Sequence, residues 1–148
     1  MKLWFKRIIV AFPVIFVGLQ FIPVNQTNPP ERGQPPAPPE VLTVLRRACY
    51  DCHSNETVWP WYSRIAPASL LLANDVNEGR KEVNFSTWEH YDEQRRRRKF
   101  REIAKEVDRD SMPPVYFVLL HPEAKLSAAD RELVIKMGAA ALKTLPVK

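Results

Sequence analysis

Five consecutive residues, Cys49-Tyr50-Asp51-Cys52-His53, contain the only two cysteines of the chain and one of its three histidines. Two thiols separated by two residues and followed at once by histidine form the C-x-x-C-H haem-attachment pattern. Each thiol adds across a different vinyl group of one porphyrin, giving two thioether links, and the adjoining His53 is then held under the iron as proximal ligand. Three other chemistries use similar spacing. A structural zinc site takes four ligands, usually with a second Cys or His pair, and His90 and His121 are too far apart in sequence to supply one. A thioredoxin-type pair sits near a βαβ pattern, of which there is no sign. A Cys49–Cys52 disulfide would leave His53 without a role.

Other residues could serve the same chemistry. Trp59, Trp61 and Tyr62 gather around Pro60, and prolines at both ends of 54–67 point to a packed loop. Their rings can cover a porphyrin face or edge, and their N–H and O–H groups can reach the propionates; an ordinary aromatic mini-core is the alternative. In Ser111-Met112-Pro113-Pro114-Val115-Tyr116 two prolines follow a methionine, which suits a thioether presented in a fixed direction, although methionine also fills gaps in cores. His121, beside Pro122, is the competing ligand.

These residues need elements to position them. After the prolines, residues 40–48 read as a short helix with Val41, Leu42, Val44 and Leu45 apolar. A second helix is expected over 67–79, with Pro67 in its first turn and Gly79 as its C-terminal cap. Ser86-Thr87-Trp88-Glu89 matches a capping box and predicts a third helix running to about Asp108. Ser127 caps a last helix carrying Leu133, Val134, Met137, Ala140 and Ala141. No alternating strand pattern occurs, so an all-α domain is expected. Within the third helix, Arg95-Arg96-Arg97-Arg98-Lys99 is either a dock for an acidic redox partner or anionic lipid, or a solvated face balanced by nearby acids at helical spacing.

At 148 residues the chain has room for one domain. Of its formal charge of +5, Lys2, Lys6, Arg7 and Arg32 against Glu31 supply +3, so the basic pI is weak ground for nucleic-acid binding and none is expected. Residues 1–24 read as a basic start and an apolar run, predicting an uncleaved transmembrane anchor. A cleaved signal peptide competes, but no small-x-small site follows the run. Residues 25–39 hold six prolines and predict a semi-rigid spacer between the membrane and a domain over 40–148.

Taken together, Cys49–Thr57, Trp59-Pro60-Trp61-Tyr62-Ser63, Ile65-Ala66-Pro67, Asp75–Arg80, Asn84-Phe85-Ser86, Met112-Pro113-Pro114 and Leu120-His121-Pro122 resemble the bacterial haem-binding domain family. The resemblance covers nearly all of 40–142; Arg95–Lys99 lies where its pattern is not expected to hold. It implies a class I cytochrome c-like fold with one covalent haem c per chain, on an exported or membrane-tethered protein. Met112, between His53 and the last helix, then falls where such a fold brings its sixth iron ligand. The expected function is electron transfer between redox partner proteins by a single-pass protein of the bacterial inner membrane, with the haem domain in the periplasm. A peroxidase-like enzyme or haem-based sensor, with an open sixth position and a distal acid–base group such as His121 or His90, is the alternative.

Overall fold

The computed structural model describes residues 2–143. They form seven α-helices joined by loops and short 3-10 turns, and no strand occurs among them. The helices are α1 (Lys2–Leu19), α2 (Pro39–Ala48), α3 (Tyr50–His53), α4 (Ala68–Glu82), α5 (Glu93–Asp108), α6 (Val115–Leu120) and α7 (Ala128–Lys143). The all-α expectation is met.

Local chemistry explains the helix limits. Pro39 occupies the first turn of α2, where a missing N–H costs nothing, and Arg46 and Arg47 lie in its last turn against the negative end of the dipole. Val41, Val44, Leu45 and Ala48 fall on one face of α2 and are all buried. As expected, Ser127 starts the last helix: its hydroxyl accepts from Asp130 N–H at 3.1 Å, while Asp130 Oδ2 accepts from Ser127 N–H at 2.8 Å.

Two helix limits differ from expectation. Ser86 does not start the long helix. Residues 85–90 form a separate 3-10 turn, and α5 begins later with Asp92 as its cap, accepting from Arg95 N–H at 2.7 Å. Gly79 does not end α4, which runs on to Glu82.

The core lies where α2, α5 and α7 meet the 85–91 turn. Trp88, only 1% exposed, packs against Phe85, Tyr91 and Phe100 with ring centroids 4.6–6.3 Å apart. Leu45, Val107, Val134 and Met137 complete it. The α5–α7 crossing depends on Gly138, where a side chain would meet Ala104 and the Phe100 carbonyl.

The N-terminal expectations need correction. Among the described residues no helix is long and apolar enough to cross a membrane. Helix α1 contains Lys2, Lys6 and Arg7, and its apolar part, 8–19, spans only about 18 Å at 1.5 Å per residue against a hydrocarbon core of about 30 Å. It stops because Gln20 takes over the chain: its amide donates to the Phe16 carbonyl and clasps the Ala66 backbone through both its N–H and its oxygen. The proline-rich segment does not stand off as a spacer either. Gly33 N–H donates to Ser86 O at 2.7 Å, Arg80 donates to Thr27 O and Asn28 Oδ1, and Pro35 is fully buried. This segment is a strap along the domain.

Candidate functional site

The attachment motif sits at the junction of α2 and α3. Cys49 N–H closes the last turn of α2 by bonding Leu45 O at 2.8 Å, and His53 N–H bonds Cys49 O at 2.9 Å. The chain therefore turns as it enters α3, bringing both thiols and the imidazole to the wall of one cleft. The cleft has a volume of about 560 Å³, within the range of small-molecule and cofactor sites. Among its lining residues are Cys49, Cys52 and His53 from the motif, Gly79 and Val83 from the end of α4, Lys99 and Ile103 from α5, and Met112, Pro113, Pro114, Tyr116 and Phe117.

His53 is held in one tautomer. Its Nδ1 lies 2.8 Å from Gly79 O and 3.2 Å from Val83 O. A carbonyl only accepts, so Nδ1 carries the proton and Nε2 is left with a free lone pair. Burial lowers the pKa of His53, against the opposing pull of those two carbonyls, which favours the neutral ring a metal requires. An imidazole bonded to backbone through one nitrogen and free at the other is the usual state of a metal-ligating histidine.

The thiols are free and partly buried. Burial, with Cys52 adding, pushes Cys49 up to about 12; burial, with Asp51 and Asp75 adding, pushes Cys52 up to about 12. At neutral pH both are uncharged S–H groups, poorly suited to thiolate exchange or thiolate ligation. Among the described residues no cluster of three or more Cys, His, Asp or Glu side chains is placed to hold a metal ion, so the zinc alternative finds no support. These residues fit a haem.

The residues after the motif lock it in place. Ser54 Oγ donates to Tyr50 O at 2.8 Å and accepts from Glu56 N–H; Thr57 Oγ1 donates to Asp51 O at 2.7 Å. Asn55, 1% exposed, accepts from Asn84 Nδ2 at 2.8 Å, and its N–H donates to Ser86 Oγ at 2.9 Å. Arg80 donates to Ser54 O and Thr57 Oγ1. A run of small polar residues in a loop carries no periodic signal, and only the family resemblance drew attention to it.

Gly79 has a different role from the cap expected of it. A Cβ there would lie 2.5 Å from Cys52 O and 3.2 Å from Cys52 Cβ. Glycine lets α4 touch the motif closely enough for the Gly79 carbonyl to reach His53. Gly79→Ala should lower stability by about 1–3 kcal/mol, the usual cost of overpacking, measured as a fall in the denaturation midpoint. An unchanged midpoint would show that α4 can retreat freely from the motif.

The other residues named from sequence divide clearly. Met112 lines the cleft, and its N–H bonds Glu106 O at 3.3 Å. Trp59, Trp61, Tyr62 and His121 lie off its walls. Trp61 is 77% exposed, and the buried Trp59 Nε1 has no hydrogen-bond partner. Tyr62 Oη meets His121 Nε2 at 2.6 Å. The aromatic rings on the cleft are instead Phe85, Tyr116 and Phe117. Tyr116 Oη donates to Asp75 Oδ2 at 3.0 Å, tying α6 to α4.

The arginine run is not a uniform solvated face. Arg95 stacks over Tyr91 at 4.2 Å, Arg96 donates to Trp88 O and Glu89 O, and Arg97 pairs with Glu93. Lys99 turns inward to the cleft.

A family model described as haem-binding domain matches residues 14–139, most of the chain and all of the cleft. No curated protein and no solved structure gives a significant match.

Proposed function

The chain belongs to the haem-binding domain family, and from that premise we propose that it is a monohaem c-type cytochrome that carries electrons. The observation that carries this reading is the cleft itself. Two neutral thiols, an imidazole with a free Nε2 and a methionine thioether line one cavity. Cys49 and Cys52 would hold the porphyrin through thioethers, and His53 and Met112 would supply donors to its iron. The haem supplies a one-electron couple. The chain fixes the proximal tautomer through Gly79 and Val83 and keeps an apolar wall of Val83, Phe85, Ile103 and Phe117 around the site.

A carrier needs both axial positions filled. Neither His121 nor His90, the distal groups an enzyme or sensor reading would call on, lines the cleft, which favours the carrier. Ferrous protein should therefore cycle reversibly and take up CO slowly or not at all. Rapid, stoichiometric CO binding together with peroxide turnover would replace the carrier with the enzyme or sensor reading.

Export fits the N-terminus. A basic start followed by twelve apolar residues, 8–19, has the make-up of an export segment. Its exposed side chains, among them Phe12 at 71% and Val14 at 66%, need apolar cover, which a bilayer surface supplies. The proposed location is the periplasmic side of a bacterial inner membrane, and the proposed partners are redox proteins.

A further inference from the structure

Lys99 closes the arginine run and shares Glu102 with Arg98, but it alone of the run lines the cleft. It is only 7% exposed, a rare state for a lysine unless its charge is paired. Its Nζ lies 2.7 Å from Glu102 Oε2 and 3.7 Å from Glu82 Oε2. Glu102 is one turn further along α5, whereas Glu82 ends α4, immediately before Val83, whose carbonyl bonds His53. All three side chains line the cleft. Apart from His53, Lys99 is the one basic side chain among the described lining residues.

We propose that the Lys99 ammonium, held between Glu82 and Glu102 in the cleft wall, raises the reduction potential of the haem iron. The inference rests on the haem reading of this cleft. Iron gains a unit of positive charge on oxidation, so a nearby buried cation disfavours the ferric state and a nearby carboxylate favours it. The Lys99 charge is buried and weakly screened, whereas the Glu82 and Glu102 side chains, 79% and 47% exposed, are screened more by water. Glu82 directly precedes Val83, whose carbonyl lies 3.2 Å from His53 Nδ1, which places the Lys99–Glu82 pair close to the proximal ligand. In Lys99→Met the cation is lost and Glu82 loses its ion-pair partner, while Glu102 keeps Arg98 at 3.6 Å. Both changes push toward ferric iron.

The test is redox titration of the holoprotein. Lys99→Met should raise the ferric-to-ferrous ratio at a fixed ambient potential about tenfold, equal to a fall of about 59 mV for a one-electron couple. Glu82→Gln should move it the opposite way, and Lys99→Arg should stay near wild type. A purely structural Lys99 would lower the melting temperature of Lys99→Met and leave the potential of Glu82→Gln unmoved. Haem-loaded Lys99→Met at the wild-type potential would overturn the proposal, as would Lys99→Met and Glu82→Gln shifting in the same direction. If Lys99→Met fails to load, Lys99→Gln decides it: a downward shift supports the proposal and an unmoved potential overturns it. Wild-type protein that takes up no haem would instead sink the reading of the cleft, a result visible in the absorption spectrum before any titration.

Discussion

Protein matured in a host competent for haem attachment should keep its haem through acid–acetone extraction and denaturing electrophoresis. The Cys49→Ala/Cys52→Ala double variant should lose it completely under the same treatment. The expectation follows from the state of the two thiols. Both are free and lie on the cleft wall beside His53, spaced to reach two vinyl groups of one porphyrin. Thioether formation adds S–H across a vinyl double bond, so sulfur bonds to carbon and the proton goes to the neighbouring carbon. No oxidant is consumed. Each single variant should retain one link and therefore still carry haem on a denaturing gel, with a shifted absorption maximum from the surviving vinyl group. Extractable haem in wild-type protein would show that the family's cofactor is held here by ligation and burial alone. His53 and its carbonyl partners would then carry most of the binding.

Much of this was legible in the chain, and the failures have physical causes. The C-x-x-C-H run encodes its chemistry in five adjacent residues, and the Ser127 cap acts within one turn, so local reading succeeds for both. A glycine late in a helical pattern, as at Gly79, usually reads as a terminator. Here its missing side chain serves a tertiary contact with Cys52 that no local pattern encodes. The capping box at Ser86 lost to Asp92 because Ser86 Oγ is engaged by Asn55 N–H instead. Chemical type singles out Trp59, Trp61 and Tyr62, yet Tyr62 bonds His121 and none of the three lines the cleft. Lys99 was hidden inside a run whose other members lie outside the cleft.

The second large effect should come from the sixth iron position. Met112→Ala should abolish the weak long-wavelength charge-transfer absorption of ferric methionine ligation, open ferrous protein to CO and lower the potential, since a thioether favours ferrous iron. His121→Ala should leave all three properties unchanged. The structure separates the two residues. Met112 stands on the cleft wall, and Pro113 and Pro114 restrict the backbone that carries it. His121 is already committed at both ring nitrogens. Its Nδ1 lies 3.0 Å from Glu123 Oε1, a carboxylate acceptor, so that nitrogen donates and Nε2 accepts from the Tyr62 hydroxyl at 2.6 Å. Its ring also stacks on Phe117 at 4.4 Å. Recruiting His121 Nε2 to iron would break its hydrogen bond to Tyr62, worth about 0.5–1.5 kcal/mol, and draw the ring off Phe117, a stacked pair worth about as much. Met112 gives up little, since its thioether stands partly exposed to solvent. A wild-type spectrum without the charge-transfer band, unaltered by Met112→Ala and changed by His121→Ala, would transfer the ligand to His121 and require the 115–124 segment to rearrange on haem binding.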